Sequence, residues 1–176
     1  MRFSRRHGAE HREPGCRAFP RSARAVRRAV AALSLLALAP AAFATLGGDA
    51  GSIATDVASL GASAQAETIA GGATRHNLTL PSGTVVHEYV SPAGQVFAIA
   101  WQGPVLPPLK QLLGTAYFTE YTQAVSAAQT DGHLRGRTNI VLDDLVVLSG
   151  GHMGAFSGTA YLRSAMPAGF SANDIQ

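Results

Sequence analysis

Cysteine is nearly absent from this 176-residue chain. The one copy is Cys16, so from residue 17 onward no disulfide, thiol nucleophile or thiolate metal site can form. Charged residues make up only 14%. No apolar run is long enough for a transmembrane helix: the longest, AVAALSLLALAP at residues 29–40, falls well short of the roughly 20 residues a bilayer needs. There is no Gly-x-Ser-x-Gly nucleophile elbow, no strand-to-helix phosphate loop with its lysine, and no paired-histidine spacing for zinc.

What is present falls into two parts. Residues 1–28 hold nine of the fourteen basic residues, the apolar run follows, and Ala42-Phe43-Ala44 gives a small-x-small cleavage pattern. That order marks residues 1–44 as a signal peptide of the Sec type, cleaved after Ala44, which implies a periplasmic or extracellular destination and no stable membrane span afterwards. Ser4-Arg5-Arg6 lies too far from the apolar run for a twin-arginine signal. The full chain carries +3, but residues 45–176 have five basic residues against nine acidic ones, which leaves them at −4. A basic nucleic-acid surface is therefore not expected.

The remainder is organised around residues 84–104, TVVHEYVSPAGQVFAIAWQGP, which hold the only tryptophan, Trp101. Two runs rich in β-branched and aromatic residues flank Ser91-Pro92-Ala93-Gly94, where Pro92 sets φ for the first turn position and Gly94 supplies a positive φ. A three-residue bulged loop pairs Val90 with Val96, Tyr89 with Phe97, His87 with Ile99 and Val85 with Trp101. Leu80-Pro81-Ser82-Gly83 repeats the same turn chemistry eleven residues earlier, so a meander of strands 74–80, 84–90 and 95–101 is expected.

Before it, residues 45–66 read as a flexible or short-helical segment, with Ile53, Val57 and Leu60 at helical spacing and Ser52 as the N-cap. After it, apolar residues recur from Leu109 to Ala128 at three- and four-residue steps. This predicts an amphipathic helix behind the sheet, opened by Pro108 and open to a break at Gly114. Strand patterns return at 139–142, 145–148 and from about Met153 to Arg163. The intervening Asp143-Asp144 reads as a bulge or turn and Ser149-Gly150-Gly151 as a turn. Met166-Pro167-Ala168-Gly169 is a further turn, and Ser171-Ala172-Asn173-Asp174 resembles a capping box. The expectation is one α+β domain over 67–176, with an antiparallel meander or sheet of about five strands packed against one long or broken amphipathic helix.

No catalytic set is coherent. Ser149, His152 and Asp143-Asp144 supply the residue types of a hydrolase, but no oxyanion hole can be read beside them. Adjacent aspartates on a strand point to opposite faces and do not cooperate as glycosidase carboxylates do. His76 and Glu88 face each other in the meander register as a solvent-facing pair, and two ligands do not make a metal site. The aromatic face of the hairpin reads chiefly as core. What remains is a rim formed by Trp101, Gln102 and the loop Ser149, Gly150, Gly151, His152 and Met153, a candidate for ligand or partner contact.

The blocks GTVVHEYVSPAGQVFAIAWQGP, PLKQLLG-x-x-YF-x-x-Y, DLVVLSGGHM-x-AFSG-x-AYL and Pro167-Ala168-Gly169-Phe170 resemble a family of small exported bacterial proteins, the domain of unknown function numbered two-eight-four-four, found in Burkholderia-like proteobacteria. The resemblance implies an exported domain with no assigned activity, cofactor, metal or catalytic residue. The reading from sequence is thus a non-enzymatic binding module of the cell envelope, with another envelope or secreted protein as a possible partner. A small hydrolase using Ser149 and His152, or a structural subunit joined through a sheet edge, are the alternatives.

Overall fold

The computed structural model describes residues 46–130 and 137–176. The leader assigned to residues 1–44, with Cys16, and the polar-loop residues His133 and Arg135 lie outside the described residues. In chain order the elements are α1 (Ile53–Leu60), β1 (Ser63–Thr68), β2 (Thr74–Thr79), β3 (Val85–Val90), β4 (Val96–Gly103), α2 (Leu109–Thr130), β5 (Arg137–Val141), β6 (Leu145–His152) and β7 (Ala155–Leu162).

The two proline–glycine turns seed the sheet. Gly83 and Gly94 adopt φ values of 82° and 81°. Their amides donate to the Leu80 and Ser91 carbonyls, each at 2.9 Å. Strands β2, β3 and β4 follow as the expected antiparallel meander. The complete sheet has seven antiparallel strands in the order β1-β2-β3-β4-β7-β6-β5, two more than the sequence suggested. One of the additions is β1, an edge strand exposed at every position and free of large apolar residues, so it has no period-2 signal to read. The last three strands form two hairpins. A turn at Leu142–Asp144 leads from β5 to β6, as Asp143-Asp144 implied, and Met153-Gly154 leads from β6 to β7. The turn expected at Ser149-Gly150-Gly151 is instead continuous strand, because Gly150 and Gly151 pair with Ser157 and Phe156 and the chain reverses two residues later.

The hairpin register departs from expectation at one point. Val90 pairs with Val96, but a bulge then makes Tyr89 pair with Ala98, Glu88 with Ile99, His87 with Ala100 and Val86 with Trp101. Phe97 is the inserted residue. It stays beside Tyr89 on one face, while Ile99 and Trp101 turn to the other. The pairings Tyr89–Phe97, His87–Ile99 and Val85–Trp101 are corrected accordingly.

Each face of the sheet has its own cover. On one, α1 and the start of α2 pack over Leu78, Val86, Ile99, Trp101, Val147 and Leu162. Asp49, rather than Ser52, caps the entry to α1, accepting from the Gly51 amide at 2.7 Å. Helix α2 is broken at Gly114, which adopts φ 77° and ψ 162°. Only Leu109, Leu112 and Leu113 of α2 are buried, so its apolar stripe serves the core chiefly through the first turn and a half. On the opposite face, Tyr89, Phe97 and Phe170 form an edge-packed cluster with ring centroids 5.0–6.2 Å apart. The turn Met166–Gly169 and a capping box between Ser171 and Asp174 bring the last residues over this cluster. There the Tyr89 hydroxyl donates to the Gln176 carbonyl at 2.8 Å and accepts from the Gln176 amide at 3.0 Å.

Trp101 lies directly over Gly158 of the neighbouring strand. A β-carbon at Gly158 would come within 2.3 Å of Trp101 Cζ2 and 2.5 Å of the Leu148 carbonyl oxygen. Gly158→Ala is therefore expected to destabilise the fold by about 1–3 kcal/mol through overpacking. Urea unfolding measures this, and an unchanged midpoint would contradict the tight Trp101–Gly158 contact.

Candidate functional site

The tail covers only part of the second sheet face. Beside it, β3, β4, β7, β6 and β5 leave a cavity of about 570 Å³. Strand alternation puts His87, Ala100, Gln102, Thr159, Ser157, Leu148, Asn139 and Arg137 on this face. The intervening Trp101, Thr138, Ser149, Gly151 and Gly158 run along its floor, and Gln176 borders it. Among the described residues its polar groups are thus mostly neutral amides and hydroxyls, with no carboxylate side chain and one guanidinium. Gly150 pairs with Arg137 and lacks a side chain where the Arg137 stem crosses it: a β-carbon there would lie 3.0 Å from Arg137 Cγ. Among the described residues Arg137 has no ion pair; the one present joins Arg75 to Glu67.

The far end of the cavity is set by a side-chain chain across three strands. Arg75 Nε donates to Glu67 Oε1 at 2.7 Å, and Asn77 Nδ2 donates to the same oxygen at 3.0 Å. Those two donors, with the guanidinium charge, hold the Glu67 carboxyl below its usual range. With its amide nitrogen committed to Glu67, Asn77 presents Oδ1 to His87 Nδ1 at 2.5 Å. The ring must then donate from Nδ1, which leaves Nε2 as an acceptor. Burial, aided by Arg75 and opposed by Glu67, keeps His87 below the ordinary histidine value, so it is neutral near pH 7.

A second polar group lies on the helix side. The register opposes His76 and Glu88, as the sequence indicated. Glu88, however, is not solvent-facing: it is fully buried, because its strand position falls between Val86 and Val90 in the layer that α1 covers. Neither of its carboxylate oxygens has a hydrogen-bond partner among the described residues, nor does Trp101 Nε1 on the adjacent strand. Burial, reinforced by the charge of Asp56 from α1, pushes the Glu88 carboxyl up to about 8. Asp56 is buried as well and accepts from Gln111 Nε2 at 3.2 Å, which links α1 to α2. His76 is lowered by burial. No group of three or more His, Asp or Glu side chains among the described residues is placed to hold a metal ion. Nor is any described helix long and apolar enough to cross a membrane.

Of the residues singled out in the sequence, Trp101, Gln102, Ser149, Gly150 and Gly151 line the open cavity. His152 and Met153 do not; they stand at the β6–β7 turn, where Met153 is 92% exposed and His152 Nδ1 lies 3.0 Å from the Met153 carbonyl. Ser149 and His152 are three residues apart on one strand and project to opposite faces, so they do not meet. Asp144 is occupied by Ser164, accepting from its amide at 2.7 Å and its hydroxyl at 2.8 Å. Sequence reasoning missed His87, Asn139, Ser157, Thr159 and Arg137 as cavity residues, since they converge only through the β4–β7 pairing.

A family model described as Protein of unknown function (DUF2844) matches residues 42–175. No curated protein and no solved structure matches the chain.

The buried acid has a measurable consequence. A carboxyl raised from 4.5 to about 8 in the folded state favours folding fully below pH 4.5 and loses that contribution as pH rises towards 8. Stability should fall across this interval by on the order of a few kcal/mol. Glu88→Gln should flatten that slope. Denaturant unfolding at several pH values tests this, and an equal slope in the variant would show Glu88 to be ionised or solvated in the native protein.

Proposed function

The chain belongs to that family of proteins of unknown function, and we propose that it is a non-enzymatic binding module, exported to the periplasm or beyond, that holds its ligand on the open half of the sheet. The observation that carries this reading is the cavity itself. Five strands bring polar side chains to one concave surface, bordered by Gln176 of the covering tail. The volume lies within the range of small-ligand sites. Its floor is hydrogen-bonded sheet, so the lining is held in place before any ligand arrives. Its polar side chains face a space that nothing in the described fold fills. A reactive pair is not what the lining offers: the neutral His87 is committed at Nδ1 to Asn77, and Ser149 projects to the other face.

The leader supports export by its order of basic, apolar and small-residue segments. Expression with the leader should yield a protein beginning at Thr45 in the periplasmic or culture fraction, as read by intact mass; retention of residues 1–44 in the cell interior would contradict it.

Binding is tested by blocking the cavity. Thr159 is half-buried at its centre. A thermal-shift panel of sugars, amino acids and organic acids should give stabilising compounds for the native protein, and Thr159→Trp should abolish their effect while keeping the native circular dichroism spectrum. Compounds that stabilise both proteins equally would place binding elsewhere.

A further inference from the structure

We infer that the ligand of this face is a short acidic saccharide, a hydroxyl-rich chain carrying a carboxylate that Arg137 receives. This rests on the reading of the open face as a binding site and adds the chemistry of what it takes.

Charge comes first. Residues 45–176 carry nine acidic residues against five basic ones, yet among the described residues the cavity has no carboxylate side chain and one guanidinium. A cationic ligand would be repelled by Arg137, and a neutral one would forgo the charge-assisted hydrogen bonds its guanidinium can donate. The other described arginine on this face, Arg75, is already held by Glu67. Gly150 leaves room for the Arg137 stem to lie across the strand, and its planar fork suits a carboxylate.

Shape and hydrogen bonding choose between a sugar and a peptide. From β3 to β5 the cavity crosses four inter-strand steps, roughly 19 Å at the usual spacing. A peptide bound to a sheet draws its affinity from unpaired backbone groups at an edge. Here the backbone beneath the cavity belongs to interior strands and to β5 where it faces β6, so those groups are used in the ladder. What projects is side-chain amide and hydroxyl: Gln102, Ser157, Thr159 and Asn139, each able both to donate and to accept. At the end away from Arg137, His87 Nε2 offers an acceptor to a hydroxyl donor. Such a row matches successive sugar hydroxyls, with the carboxylate at one end.

Calorimetry of the chain from residue 45 with tri-galacturonate, maltotriose and triglutamate tests the inference. Tri-galacturonate should bind, maltotriose should bind at least about tenfold more weakly, and triglutamate should bind no better than maltotriose. Arg137→Gln should weaken tri-galacturonate by about tenfold or more, the range expected for loss of a charged hydrogen bond, and leave maltotriose unchanged. Arg137 is exposed, and an unaltered melting curve confirms that the variant folds. Equal affinity for maltotriose, tighter binding of triglutamate, or indifference to Arg137→Gln each overturns the inference. If tri-galacturonate fails while another compound of the thermal-shift panel binds and is lost in Thr159→Trp, the ligand class is wrong and the binding site stands. If no compound binds the native protein, both readings fall.

Discussion

The bulge at Phe97 is the constraint on which the rest of the structure depends. Without it, strict alternation from the Val90–Val96 pair would put Phe97, Ile99 and Trp101 on one face. With it, Phe97 and Ala98 follow one another on the tail side, and Ile99 and Trp101 move beneath the helices. Both cores are made by that one residue. Trp101 joins Leu112, Leu113 and Val147, while Phe97 joins Tyr89 and Phe170. Aromatic pairs of this kind contribute about 0.5–1.5 kcal/mol each beyond the area they bury. A bulge costs one residue of ladder pairing and here yields an aromatic anchor on each side of the sheet.

The two anchors set what each neighbouring strand can be. Trp101 needs a glycine opposite it, and Gly158 supplies one, which fixes β7 beside β4. Phe97 and Tyr89 need a cover, and the tail provides it through Phe170, Ile175 and the paired hydrogen bonds of the Tyr89 hydroxyl with Gln176. The strands beyond the tail carry Gln102, Ser157, Thr159, Asn139 and Arg137, side chains that need no apolar cover. The open cavity lies over these strands and is bordered by Gln176 of the tail.

Local chemistry was legible in the sequence; long-range pairing was not. The Pro–Gly turns at 80–83 and 91–94, the break at Gly114, the Asp143-Asp144 turn and the Ser171 capping box are all determined within a few residues, and each appears where its residues predicted. Strand β1 was missed because an exposed edge made of Ser, Ala, Gln, Glu and Thr has no pattern to show. The bulged three-residue loop closes at Ser91 and Gln95 as its residues predicted, but the second bulge, at Phe97, was missed because an inserted residue leaves the apolar composition of both strands unchanged. For the site, the Trp101-Gln102 and Ser149–Gly151 segments were visible as glycine-rich and aromatic rims. Their partners were not, because nothing local to Asn139 or Thr159 reveals that β4 pairs with β7 across more than fifty intervening residues.

The two faces hold their polar groups in opposite ways, and this separates stability from binding. On the helix side Glu88 is buried and without a hydrogen-bond partner among the described residues, so it keeps its proton up to about pH 8. Burying such a group between Val86 and Val90 weakens the fold at neutral pH rather than strengthening it. On the open side Glu67 is held ionised by Asn77 and Arg75, and His87 is held neutral by its burial. Between neutral and mildly alkaline conditions Glu88 on the helix side titrates, while burial favours the neutral form of His87 on the cavity side. A change of pH in that range acts on Glu88 beneath the helices, on the opposite face of the sheet from the cavity, and the Phe97 bulge places an aromatic residue in the core of each face.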